Sequence, residues 1–201
     1  MLGYSRTALR AGSFVAMVFC AHAVLAAAPA APAHFMLEPT KSLLRFSFVQ
    51  AGANNNGRFG KYTADVLFSG ENLPASKINV AVDIASLDTG DQERDDTLKG
   101  ADLFDVKKFP QARFVSSKIV PAGQMRYEAQ GKLTIRNVTK DVKIPITFQT
   151  KVEQGKTMGY LTGRMNIKRL EYGVGQGEWK STEWVNDDVS VTFSLRLAPA
   201  T

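Results

Sequence analysis

The side chains in this chain that could carry chemistry are mostly carboxylates. Asp88, Asp91, Glu93, Asp95 and Asp96 fall within one short stretch. Such a cluster could bind calcium, or Asp88 or Asp95 could serve a carboxylate-dependent enzyme acting on a lipid or sugar. The spacing is not that of an EF-hand loop, and Arg94 and Lys99 are interleaved. A helix start whose charges pair internally is the plainer reading. Other chemistries lack their parts. The single cysteine is Cys20 and the two histidines are His22 and His34, all near the N-terminus. That leaves neither a Ser–His–Asp or Cys–His constellation nor an ordinary zinc site. Gly173-Val174-Gly175-Gln176-Gly177 lacks the dinucleotide-binding spacing, and no βαβ unit surrounds it. Lys107-Lys108 and a formal charge of +6 over 201 residues do not amount to a nucleic-acid signature. The expectation is no catalytic residue, no metal and no cofactor, so binding is favoured over catalysis.

The first 27 residues read as a secretory signal peptide. Arg6 and Arg10 precede an apolar run through Phe14, Val18, Phe19 and Leu25, which ends in Ala26-Ala27-Ala28. The run is shorter than the ~20 residues of a membrane-spanning helix, and Cys20 lies inside it. Cleavage near Ala27 or Ala28 would place the protein in the periplasm. It would also lower the formal charge from +6 to +4 by removing two arginines. A flexible Ala/Pro-rich start at 28–34 then leads into one domain spanning 35–198.

That domain alternates with period two. Met125, Tyr127, Ala129, Gly131, Leu133 and Ile135 are interleaved with Arg126, Glu128, Gln130, Lys132 and Thr134. Similar runs cover 78–84, 142–152 and 189–197, and less regular ones 43–50, 58–69, 111–120 and 157–169. About eight strands result, each with one apolar and one polar face. Asn54-Asn55-Asn56-Gly57, Pro121-Ala122-Gly123 and Glu153-Gln154-Gly155 read as turns, and Arg136-Asn137 sits in a tight hairpin. Pro145 marks a bulge or an unpaired stretch. The interruption at about 91–105 is helical, opening at Asp91 and stopping at Gly100. Trp179 and Trp184 are expected to pack at a barrel rim.

Long amphipathic strands must close or sandwich, and eight of them suit an up-and-down antiparallel barrel able to hold one small ligand. A filled core and a membrane barrel alternate too. The C-terminus and the absence of an aromatic girdle argue against the membrane barrel. The inner face would be Val80 and Val82; Tyr127, Ala129, Gly131 and Leu133; Ile144, Ile146 and Phe148; and Val191 and Phe193.

The segment Ser86-Leu87-Asp88-Thr89, Glu93-Arg94-Asp95-Asp96-Thr97-Leu98, Asp102-Leu103-Phe104-Asp105, Lys108-Phe109-Pro110 and Ala112-Arg113-Phe114-Val115-Ser116 resembles the YceI-like family. The hairpin stretch Gly131–Lys140 looks like its second hallmark. The resemblance spans roughly 35–198. It implies an exported, lipocalin-like barrel that binds a polyisoprenoid or other long-chain lipid, with transient contact to a membrane or membrane protein. It departs from the family at Asn137, where glycine is frequent and where Asn would tolerate a positive φ, and at Gln50-Ala51, where many members carry a histidine. Arg94 and Asp95 would pin the helix. The alternatives are the carboxylate-dependent enzyme and a non-binding structural or stress-related module with a packed core.

Overall fold

The structure, a computed structural model, describes residues 30–200; the expected leader at 1–27, with Cys20, lies outside them. Eleven strand segments follow one another: β1 (Ala33–Leu37), β2 (Leu43–Gln50), β3 (Ala53–Phe59), β4 (Tyr62–Phe68), β5 (Lys77–Asp83), β6 (Leu87–Asp88), β7 (Gln111–Pro121), β8 (Arg126–Ile135), β9 (Val138–Glu153), β10 (Lys156–Lys168) and β11 (Val185–Pro199). One helix, α1 (Gln92–Lys99), lies between β6 and β7. Pairing reduces these segments to eight effective strands. β1 and β2 run along the same edge of β11, parted by a 3-10 turn at Pro39–Lys41. β4 continues β3 after Gly60-Lys61, and β6 continues β5 after Ile84–Ser86. Neighbours follow chain order, all antiparallel, and the ring closes where Phe35 meets Pro199 and Phe46 meets Val191. The fold is a closed eight-stranded barrel with one short helix.

Sequence reading placed most strands within a few residues, with instructive differences. Ala33 and His34, expected in a flexible start, already belong to β1. Asn54–Gly57 is not a turn but part of β3, paired with β2. The hairpin instead turns at Ala51-Gly52, both at positive φ. Gly57 serves a different need, because a Cβ there would lie 2.3 Å from the Phe46 ring. In the β8–β9 hairpin the residue at positive φ is Arg136 (φ 53), whereas Asn137 was expected to be. Pro145 does mark a parting: β9 and β10 pair only as far as Ile146 and Gly163. Register irregularities sit elsewhere, in β7 between Ser116 and Lys118 and in β11 between Val185 and Val189.

The interior is apolar and the outer wall carries Arg45, Lys132, Lys143 and Arg164, the inverse of a membrane barrel. The end formed by the turns at 69–76, 122–125 and 154–155 is plugged. There Phe68 stacks on Phe148 with centroids 4.0 Å apart, while Phe35 meets Phe148 at 5.6 Å and Tyr127 meets Phe68 at 5.0 Å. At the opposite end α1 and the 169–184 segment surround a mouth.

Candidate functional site

Above the aromatic plug the barrel encloses a cavity of about 150 Å³. Its wall comes from every side: Leu44 and Phe46 of β2, Tyr62 of β4, Val80 and Val82 of β5, Phe114 of β7, Leu133 of β8, Ile144 and Ile146 of β9, Met165 of β10, and Val191 and Phe193 of β11. Cavities of this size lined by Leu, Ile and Phe stay dry and take apolar guests. The space exists because of how two rings lie. Phe46 faces Gly57 across β2–β3, and Phe193 faces Gly163 across β10–β11. A Cβ on either glycine would come within 2.3 Å of the ring, so each phenylalanine lies against the wall rather than across the axis.

Next to the cavity lies a mouth of about 590 Å³ that shares Phe46, Phe104 and Val189 with its wall. This vestibule is amphipathic. Phe48, Leu98, Leu103, Val174 and Trp179 line it beside Gln50, Asn55, Asp91, Glu93, Arg94 and Thr97. Two arginines build its rim through backbone carbonyls. Arg169, 4% exposed, donates to the carbonyls of Asn186, Val174, Trp179, Ser181 and Val185, and so uses its whole donor fork inside one loop. Burial lowers its pKa from the usual guanidinium value. Arg136 donates to Leu103 O and, at 2.7 Å, to Gly173 O, and its guanidinium lies 5.3 Å from the Phe109 ring centroid. Three loops are thereby held to one another.

A YceI-like domain matches residues 35–197. The chain belongs to the YceI-like family. A UPF0312 protein of Vibrio vulnificus is 34% identical over 139 residues, which is 69% of this chain and 70% of the relative. The crystal structure of Burkholderia cenocepacia BcnA superposes with a TM-score of 0.76 at 36% identity, covering 82% of this chain and 99% of that one. A polyisoprenoid binding domain from Saccharophagus degradans shares the fold, with a TM-score of 0.65 at 15% identity over 84% and 99% of the two chains.

The family segment at 86–116 builds the mouth. Asp91 caps α1 by accepting from Arg94 N at 3.1 Å, and the Arg94 guanidinium returns to Asp91 at 3.3 Å. Asp95 is buried and accepts from the backbone N–H and the hydroxyl of Thr89, at 2.9 and 2.7 Å. Asp88 accepts from Gly90 N and from Arg58, and these bonds hold its carboxyl below the usual carboxylate range. Neither Asp88 nor Asp95 lines the cavity. A carboxylate acting as general acid wants the opposite environment, with a raised pKa beside the ligand.

Of the eleven residues named from the sequence for the inner face, Val80, Val82, Ala129, Leu133, Ile144, Ile146, Val191 and Phe193 line the cavity. Tyr127 and Phe148 sit lower, in the plug. Gly131 is buried against the β7 irregularity, where a Cβ would lie 2.3 Å from Val115 O. Trp179 packs at the mouth, but Trp184, expected to pack, is 70% exposed. Sequence reasoning missed Leu44, Phe46, Tyr62 and Met165. Alternation in β2, β4 and β10 carried that signal. Arg136 and Arg169 had none, since a lone arginine in a loop does not announce a buried role.

Proposed function

We propose that the protein is a periplasmic binding or carrier protein for a long apolar ligand, a polyisoprenoid or related lipid, held in the barrel rather than chemically transformed. The observation that carries this reading is a closed barrel whose cavity is walled by apolar side chains from all eight effective strands and adjoins an amphipathic mouth. The likeness to a protein described as a polyisoprenoid binding domain supports it, as does the leader-like N-terminus. Burial supplies affinity at about 25 cal/mol per Å² of apolar surface, less the cost of ordering the chain. An apolar segment fills the cavity while the remainder occupies the vestibule. The ligand enters from a membrane or membrane protein by transient contact at the mouth.

Native mass spectrometry and lipid extraction of protein purified from periplasm should find a bound long-chain lipid on a chain that starts near Ala27 or Ala28. Titration with a chain-length series should show affinity rising by roughly 0.8 kcal/mol per buried CH₂ until the cavity is full. A flat series with no extracted lipid would leave a structural module instead, and an uncleaved N-terminus in the membrane fraction would defeat the periplasmic assignment.

A further inference from the structure

Near the mouth the barrel wall runs for a stretch without a ladder. β9 and β10 pair from Glu153 and Lys156 to Ile146 and Gly163, and there the pairing stops. Among the described residues, Val138–Pro145 then pairs only with β8, and Arg164–Lys168 only with β11. Pro145 stands where the ladder ends and brings no N–H to extend it. Continued in register, the two edges would set Ile144 against Met165, Lys143 against Asn166 and Asp141 against Lys168. The charges turn away from this seam instead. Asp141 pairs with Lys132 of β8 at 3.1 Å, and Lys168 with Asp188 of β11 at 2.7 Å.

The cavity lies directly behind. Ile144 of β9 and Met165 and Ile167 of β10 line it, and Val142 packs against the same core. Parting two laddered strands sacrifices one hydrogen bond after another. Parting these two edges sacrifices none between them, so the wall is weakest here. What spans the seam sits at its upper end. Lys140 of β9 reaches Glu171, in the turn Arg169–Tyr172 that follows β10, at 2.7 Å, and Arg136 donates to the Gly173 carbonyl. From the mouth, by contrast, a chain must pass Phe46, Phe104 and Val189, the side chains that cavity and mouth share.

Resting on the carrier reading, we propose that the seam is a side door: Val138–Pro145 and Arg164–Lys168 part to admit a long apolar chain laterally into the cavity, and the Lys140–Glu171 pair latches them. The chain is laid into the barrel along its length rather than threaded end-on. That suits a lipid drawn from an apolar phase while its other end still lies at the mouth.

The test closes the door. Cys20, the single cysteine, falls in the expected leader, so the double variant Lys143→Cys, Asn166→Cys gives the mature chain one possible disulfide. Both positions are exposed. Reduced protein is loaded with a fluorescent fatty-chain probe, oxidised, and mixed with phosphatidylcholine vesicles as acceptor. Release should slow by about tenfold or more on oxidation, and dithiothreitol should restore it. Uptake by the empty oxidised protein should slow to match, leaving the affinity unchanged, because a door alters both rates alike. Lys140→Gln should speed release by about twofold to fivefold, the worth of an exposed ion pair. Lys132→Gln, which breaks a pair facing away from the seam, should not. Equal rates in oxidised and reduced protein would overturn the proposal, place entry at the mouth and leave the carrier reading standing. Expulsion of the probe on oxidation would overturn it too, as would cysteines that never join, since the edges of a door meet when it shuts. If wild type binds no probe, the carrier reading fails and this proposal with it.

Discussion

The two halves of the barrel interior use the same side chains to opposite ends. Near the plug, Phe68 and Phe148 stack across the axis at 4.0 Å, joined by Phe35 and Tyr127, and the space is filled. Nearer the mouth, Phe46 and Phe193 each face a glycine and lie against the wall, and about 150 Å³ stays open. Both halves are built from buried apolar side chains. Whether a phenylalanine fills a barrel or lines it depends on the residue across the ladder, because a glycine gives the ring somewhere else to go.

Truncation should break this contrast most visibly. Phe148→Ala removes a ring packed on two others and should cost about 3–5 kcal/mol in denaturant unfolding. Phe193→Ala only enlarges a space that already exists, so it should cost clearly less. Equal losses would mean that the upper half is packed as tightly as the plug.

Gly131→Ala comes next. Its Cβ would press on Val115 O and the Ser116 Cα, backbone that cannot swing aside, and should cost about 1–3 kcal/mol. A neutral melt would show that the β7 irregularity can relax.

Ala129→Phe sharpens the comparison through binding. Ala129 is buried in the cavity wall, so a ring there occupies the open space. The delipidated protein should keep its stability within about 1 kcal/mol while binding of a long-chain probe is lost; a filled core would instead lose about 1–3 kcal/mol or more to overpacking. Gln130→Phe, on the outer face, should leave binding intact.

The smallest effect concerns the turn that leads into α1. Asp88 titrates below its ordinary value of 3.8 because Gly90 N–H and Arg58 favour its charged form. A lowered native pKa means that the stabilisation is present above the unfolded value and is lost as pH falls through the native one. The stability difference between wild type and Asp88→Asn should therefore be constant above about pH 3.8 and shrink below it. A difference that instead grows on acidification would reverse the assigned direction.

These contrasts mark what was legible in the chain. Period-two alternation is a direct consequence of strand geometry, so eight strands, their inward faces and the helix between Asp91 and Gly100 could be read residue by residue. The same rule turns eight of the named residues toward the cavity wall, because side-chain direction is local. It could not say how far along the barrel axis each one lies, which is why Tyr127 and Phe148 were put beside a cavity they sit below. The Asn54–Gly57 run misled for a related reason. A glycine needed for a turn and a glycine needed beneath a ring look alike in sequence, and only the pairing of Gly57 with Phe46 tells them apart.

By itself, the sequence determined the strand count, the apolar inner face and the helical interruption at about 91–105, all set by local periodicity and spacing. Only the tertiary structure decided that the barrel is hollow above and plugged below, and that Arg169 and Arg136 are spent on backbone carbonyls. Each of these depends on which residues from distant strands meet at one height. That height is fixed by the closure and register of the whole sheet.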